Sequence, residues 1–408
     1  MNKFLASFDK RLWALAFGWV ASSIGFAAAF PYLALYFHSD LGISMTHIGL
    51  FFGVAAIIRA TFQALGGEIA DRYGRYYPMV ISQLIRTVTF VIVSLAIFYE
   101  WGFFAIGGLI IVNSIFGAMF QPAANATVAD IVSKEMRTDG YAIIRIAGNI
   151  GWSIGPAVGG FFAENSYAIL FLIAAGMTLL SSTIIGFTLR GLRHSNSGNE
   201  HFRPRDIFAV KKDRLLLKYI VIVYILYLVV SQFMMPLSLY TVEYNNLSTS
   251  QLGLLYGLNG LIVILFQIPT ARLARNLRLT FQLSLGAAIY ALGYLWCGFA
   301  TAFWGFIIVI AIITIGENFV SPSALAITAN IAPEGRTGRY MGVYGLAVTL
   351  GWSMGPMLGG MLMDLAKPNF AYSWGFVSLL AIIAAIGFNR LGKIVPADAN
   401  YSQNKISK

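Results

Sequence analysis

Twelve stretches of about twenty mostly apolar residues follow one another along the chain. They run near 12–37, 46–70, 77–98, 102–126, 140–163, 167–190, 215–241, 249–274, 279–300, 304–329, 337–363 and 371–392. Each can carry an α-helix across the ~30 Å hydrocarbon core of a bilayer. In lipid the backbone must satisfy its own hydrogen bonds, and for runs of this length only a helix does so. Composition agrees. The chain is 58% hydrophobic and 11% charged, with mean hydropathy +0.72, where an average soluble chain is about a quarter charged. The expected fold class is all-α and integral to the membrane, with twelve transmembrane helices. Asp9 and the lack of a small-residue cleavage site make span 1 a retained helix rather than a leader.

The basic residues orient the spans. Of 28 Lys and Arg, 24 fall in 1–11, 71–76, 127–139, 190–214, 272–278, 330–339 and 390–408, counting Lys218 in the first turn of span 7. With alternating spans these segments share one side, and the positive-inside rule makes that side the cytoplasm. Both termini and the 190–214 loop are expected there, in a cytoplasmic (inner) membrane. The opposite loops hold Asp40, Glu100, Glu164, Glu243 and Asp364. The net charge of +11 therefore reflects basic loops and gives no reason to expect nucleic acid. A single cysteine, Cys297, excludes a disulfide framework, and four His without ligand spacing argue against zinc. No cofactor or metal is expected.

The chain repeats itself. Gly151-Trp152-Ser153-Ile154-Gly155-Pro156-Ala157-Val158-Gly159-Gly160 recurs 200 residues on as Gly351-Trp352-Ser353-Met354-Gly355-Pro356-Met357-Leu358-Gly359-Gly360. Gln121-Pro122 matches Ser321-Pro322, Arg137-Thr138 matches Arg336-Thr337, and Phe62-Gln63 matches Phe266-Gln267. Order and spacing agree, which predicts two six-helix halves in one orientation, 1–190 and 215–395. A cytoplasmic linker, 191–214, joins them and a cytoplasmic tail, 396–408, follows. Parallel halves of this kind place a substrate site between them near the midplane.

At the inner end of span 2 the chain reads Gly67-Glu68-Ile69-Ala70-Asp71-Arg72-Tyr73-Gly74-Arg75. This resembles the loop 2–3 signature, motif A, of the major facilitator superfamily. The resemblance implies a gating network of Gly67, Asp71, Arg72, Gly74 and Arg75 with Asp130, latching one state of a transporter. Gly67 would admit a neighbouring helix. The second half departs from the pattern, with Arg275 for the Asp and Asn330 for the second acid, so the latch is one-sided. The Gly-Pro-Gly-Gly segments resemble motif C, the signature of drug:proton antiporters. Gly151, Gly155 and Gly159 form one ridge at i, i+4 and i+8, followed by Gly160, and Pro156 can kink the helix. Gly351, Gly355, Pro356, Gly359 and Gly360 repeat this. Packing alone would explain the ridge; the meaning of exporter comes from the resemblance. Motif B of the family puts an Arg in span 4 where Asn113 stands, so that Arg's relay role does not carry over.

Charge inside a bilayer costs about 2.5–3.5 kcal/mol at a helix centre on insertion scales and marks function by default. Glu317 is the one carboxylate expected at mid-span, about twelve residues or ~18 Å from the inner end of span 10. Thr314, Ser321 and Thr328 are expected on its face. Gly316-Glu317 followed by Pro322 is similar to the span 10 pattern of some bacterial multidrug antiporters, which implies proton coupling at Glu317. Arg59, Arg86 and Arg145 lie inside spans and stay charged. Arg86, on a span the family places at the periphery, is expected to be structural. Arg59 and Arg145 are cavity candidates, and helical stripes supply the others: Phe26 and Phe30; Asn113, Gln121 and Asn125; Asn149 beside Arg145; Tyr224, Tyr227, Ser231, Met235 and Ser238; Asn259 with Gln267; and Ser321. Aromatic and Met side chains with a few polar groups suit a broad amphipathic ligand.

The expected function is secondary active transport: a proton-coupled antiporter exporting small amphipathic compounds by alternating access. Its partners are a small-molecule substrate, protons and membrane lipid, and the unit is a monomer. The alternatives are a transporter of an anionic metabolite or siderophore, and a receptor that does not transport. The sequence carries no Ser/His/Asp set, metal cluster or phosphate loop, so an enzyme is not expected.

Overall fold

The computed structural model describes residues 8–132, 136–190, 213–333 and 336–401. Twelve long helices follow the expected order: α1 Lys10–Leu35, α2 Met45–Tyr73, α3 Tyr76–Phe98, α4 Phe103–Ile131, α5 Arg137–Ala163, α6 Tyr167–Thr188, α7 Arg214–Val230, α8 Thr249–Ala274, α9 Leu279–Cys297, α10 Phe303–Asn330, α11 Thr337–Ala366 and α12 Ala371–Leu391. Among the described residues, eleven spans are long and apolar enough to cross a membrane. The remaining helix, α5, is diluted by its glycines and by Arg145 and Asn149. Large apolar side chains stand open on the outer faces, Phe104 at 90% and Phe187 at 84% exposure. Water would not tolerate that much exposed apolar surface, and lipid does. The fold is that of a multi-pass membrane protein.

Local chemistry explains the helix starts. The Asp9 side chain caps α1 at Arg11 N, Ser166 caps α6, and Asp213 accepts from Leu215 N and Leu216 N at the start of α7. Gly102, at φ +83°, makes the turn into α4. One element differs from expectation. Span 7 is not one run, because α7 ends at Val230 and a tight 3₁₀ turn occupies Ser231–Phe233. Pro236 follows and has no N–H to return to that turn. Gln232 mends the break, its Nε2 donating to Leu228 O and Gly355 O at 2.8 Å each. The first residues of the tail lie against the helices. Asn400 folds back on α9, accepting from Leu279 N at 2.8 Å and from Thr280 N at 3.0 Å.

The chain forms two compact units, with the residue ranges 44–53 and 241–260 exchanged between the two sequence halves. In unit one, α1 packs on α5 and α6, and α3 on α4 and α6. In unit two, α7 packs on α11 and α12, and α9 on α10 and α12, the same pairing six helices on. The glycine ridges explain the closest pairs. A Cβ on Gly155 would lie 2.7 Å from Ala27 Cβ and 2.8 Å from Ile24 O, and one on Gly351 would lie 2.5 Å from Tyr227 Cβ. Only glycine permits α5 on α1 and α11 on α7 at that separation.

Candidate functional site

In unit one, motif A closes on itself. Gly74 takes φ +87°, a conformation that favours glycine, and turns the chain from α2 into α3. That turn presents Arg75, whose Nε lies 3.5 Å from Asp130 Oδ2 on α4 and whose Nη1 donates to Ala70 O at 2.6 Å. Both charges are nearly buried, beside an apolar cluster that includes Leu12, Ala70, Met79 and Val128. Arg72 is exposed and lies over the Tyr73 ring at 5.5 Å. The side chain of Asp71 lies outside the described residues. Gly67 is not the close-approach glycine: a Cβ there would meet Pro122 at an ordinary 3.8 Å. Gly66 is, because a Cβ there would lie 2.7 Å from Met119 Cα. The two differ by about 100° of helix azimuth, and only Gly66 faces α4 squarely.

Motif C does more than join α5 to α1. Tyr32 Oη donates to Pro156 O at 2.5 Å, and a Cβ on Gly253 of α8 would lie 2.6 Å from that same carbonyl. Thr249 Oγ1 donates to Gly160 O at 3.0 Å. Just beyond, Glu164 accepts from Ser250 N at 3.3 Å. Hydrogen bonds from Ser248 and Ser250 hold its carboxyl below the usual range. Unit two repeats the device at the start of α2. A Cβ on Gly49 would lie 2.5 Å from Pro356 O, and Asp364 accepts from Thr46 N at 2.9 Å and Thr46 Oγ1 at 2.7 Å. The motif A position differs between the halves. Asn330, in place of the acid, donates to Ala399 O and Tyr401 O at 3.1 Å and so holds the folded-back tail.

The cavity candidates divide. Phe26 stacks on Phe30 at 4.7 Å, meets Trp152 edge-on at 5.9 Å and carries Arg59 at 5.8 Å from its centroid. Asn113 is buried and bonded to Arg86 Nε at 3.3 Å and to Thr89 Oγ1 at 2.8 Å. The guanidinium of Arg86, from α3, thus lies against Asn113 of α4. Arg86 is not peripheral, being 5% exposed and turned inward. Gln63 reaches Gln121 at 3.4 Å, Asn125 and Asn259 are half-buried, and Arg145 and Asn149 are exposed on α5. In unit two, Tyr227 Oη lies 3.0 Å from Tyr344 Oη, and Tyr224 donates to Met354 Sδ at 3.0 Å. The expected α7 stripe fails beyond Tyr227. Ser231, Met235 and Ser238 are buried, because the 3₁₀ turn and Pro236 break the helical azimuth.

Glu317 sits halfway along α10, half-buried. Gly316 beside it seats α10 on α9: a Cβ there would lie 2.9 Å from Gly286 O and 3.2 Å from Tyr290 Cδ2. Gln267 of α8 donates to Asn318 O at 3.3 Å, and Ser321 is half-buried one turn on. Thr314 and Thr328 are fully buried, donating to Ile310 O and Ala324 O, so the expected four-residue stripe reduces to Glu317 and Ser321. Asn318 was not foreseen. Its amide is 1% exposed, and among the described residues neither Nδ2 nor Oδ1 finds a partner. Gln83 was also missed; its Nε2 donates to Ser22 Oγ at 2.8 Å and Ser181 Oγ at 3.3 Å. The i, i+3 spacing of Gln83 and Arg86 was the available signal.

Among the described residues no group of His, Cys, Asp and Glu could hold a metal. The family model of the Major Facilitator Superfamily matches residues 15–356 and 243–399. The chain belongs to the Major Facilitator Superfamily. It is 27% identical over 360 residues to an uncharacterized MFS-type transporter, YttB, of Bacillus subtilis, covering 87% of this chain and 89% of that one. It is 24% identical over 389 residues to the quinolone resistance protein NorA of Staphylococcus aureus, covering 93% and 96%. It is 22% identical over 370 residues to the multidrug resistance protein MdtH of Escherichia coli, covering 90% of each. A solved POT family transporter in complex with a thioalcohol-conjugated peptide shares the fold at TM-score 0.77 and 16% identity, covering 94% of this chain and 96% of that one. A mutant of the nucleoside transporter NupG does so at TM-score 0.77 and 14% identity, covering 93% and 99%. This superfamily member is a transporter, and its relatives are transporters rather than enzymes.

Proposed function

We propose that this transporter is a proton-coupled antiporter that exports small amphipathic compounds across the cytoplasmic membrane, with both termini and the linker inside. Glu317 carries the reading. It is a carboxylate at the centre of a membrane helix, half-buried, in a half whose other acids lie near helix ends or in loops. An acid held within the membrane can take up and release a proton during the transport cycle, which ties flux to a pH gradient. The two multidrug relatives and the motif C ridge support export over import. In this reading Gly67, Asp71, Arg72, Gly74, Arg75 and Asp130 gate the inner side, and two six-helix halves, 1–190 and 215–395, alternate access to the cavity. The test is flux in proteoliposomes with and without an imposed pH gradient. Glu317→Gln keeps the volume and mimics the protonated acid. It is expected to abolish gradient-driven uphill flux while leaving expression and some downhill flux. Parent-like stimulation by the gradient would make Glu317 structural.

A further inference from the structure

The first six membrane helices hold arginines and no carboxylate to match them. Arg59, Arg86 and Arg145 lie within spans, while every Asp and Glu up to residue 190, from Asp9 to Glu164, falls in the terminal two turns of a helix or beyond. Arg86 is the sharpest case. Its Nη1 donates to Ser22 Oγ and Gln83 Oε1, each at 3.0 Å, and its Nε to Asn113 Oδ1 at 3.3 Å. All three acceptors are neutral, and they use three of the five N–H donors of a guanidinium. Nη2 has no acceptor among the described residues. Arg59 makes no hydrogen bond among the described residues, is exposed and acts electrostatically on Arg86.

Each of the two cations lies over a ring that lines one narrow cleft. Phe26, Phe30, Phe90 and Phe171 line it, with Asn113 and Ser114 at its polar edge. Arg59 lies over Phe26 at 5.8 Å and Arg86 over Phe90 at 5.6 Å. A buried charge is retained where a counter-charge meets it, and neutral oxygens do not supply one here. Unpaired donors beside flat apolar walls fit a ligand with an anionic head and an aromatic body.

We propose that Arg86 and Arg59 form an anion-accepting subsite in unit one, and that the cargo is an organic monoanion, a carboxylate or sulfonate on a flat apolar body. The proposal rests on the transporter reading above for treating the ligand as cargo. Arg86 supplies the two N–H donors of Nη2, and Arg59 supplies a second cation with few structural duties to lose.

The test is equilibrium binding to the full-length protein in nanodiscs, with no pH gradient, of tritiated 2-naphthoate and its uncharged counterpart 2-naphthamide. Naphthoate is expected to bind more tightly. Arg59→Gln and Arg86→Gln are each expected to weaken naphthoate about 10- to 100-fold, the loss of a charged hydrogen bond, and to change naphthamide less than about twofold. Arg86→Lys keeps the charge without the fork and is expected to fall between. If Arg86→Gln fails to fold, Arg59→Gln decides, because it removes no hydrogen bond. Equal affinity for the two probes, no naphthoate binding at millimolar concentration, or equal losses for both probes in the variants would overturn the assignment. Naphthoate binding is read at equilibrium with no gradient, whereas the coupling scheme is read as flux under an imposed pH gradient. Failure of the subsite and failure of the coupling scheme are therefore separate results.

Discussion

Gly155 and Gly176 are both mid-helix glycines, and the structure predicts opposite outcomes for the same substitution. A Cβ at Gly155 would lie 2.7 Å from Ala27 Cβ and 2.8 Å from Ile24 O, whereas one at Gly176 meets nothing within 4 Å. Carbon atoms pack comfortably at about 3.5–4.0 Å. Gly155→Ala therefore forces α5 from α1 by about 0.8 Å or more, along a ridge that Gly151 and Gly159 share. Both substitutions gain about 1 kcal/mol of helix propensity, so the difference between them isolates the packing term. Overpacking of this kind costs about 1–3 kcal/mol. Gly176→Ala should stabilise by up to about 1 kcal/mol, and Gly155→Ala should lie below it by about 1–3 kcal/mol. At about 2–4 °C per kcal/mol for domains of 150–250 residues, the two variants should separate by several degrees. The assay is thermal unfolding of purified protein in one detergent at one scan rate. A melting temperature for Gly155→Ala equal to or above that of Gly176→Ala would refute the claim that glycine is needed there for close approach.

Four further outcomes are expected. Asp130→Asn removes the counter-charge of Arg75 and should destabilise by about 3 kcal/mol, at the lower end for a broken buried pair; an exchange of the two charges should recover part of that in the same melting assay. Asn318→Leu replaces an unpartnered buried amide and should stabilise by about 1 kcal/mol, and a stability loss would mean the amide is satisfied. Asn400→Ala removes the cap of α9 and should cost about 1 kcal/mol, with faster proteolysis of the tail as an independent readout. Glu164 is held below the ordinary carboxylate range by the Ser248 and Ser250 hydroxyls, so its contribution is present above the unfolded carboxylate value and is lost as pH falls through its lower folded value. Hydrogen exchange at the start of α8 should rise in that acid window in the parent and be insensitive to it in Glu164→Gln.

Helix count and most limits were legible because hydropathy reports insertion into lipid directly, and α8, α9 and α10 start and stop within a few residues of expectation. Azimuth was not. Lipid is as apolar as the packed interior, so the pattern of apolar residues along α3 does not say which face turns inward, and Arg86 was placed at the periphery. Glycines were a better guide: the 151/155/159 ridge has a direction, and it points at α1. Even there one position of error moved the contact from Gly66 to Gly67. Pro236 was visible in the sequence, yet the α7 stripe was drawn through it as though the helix were unbroken. The arginine excess of the first six spans could also be counted in advance. Its consequence could not, because an unmatched cation in the sequence acquires meaning only when its acceptors are known. Ser22, Gln83 and Asn113 come from α1, α3 and α4, and all three are neutral. Had any been an acid, Arg86 would be a closed ion pair and the cleft beside it merely apolar. As built, the positive charge is positioned but not neutralised, which is the condition a site for an anion requires.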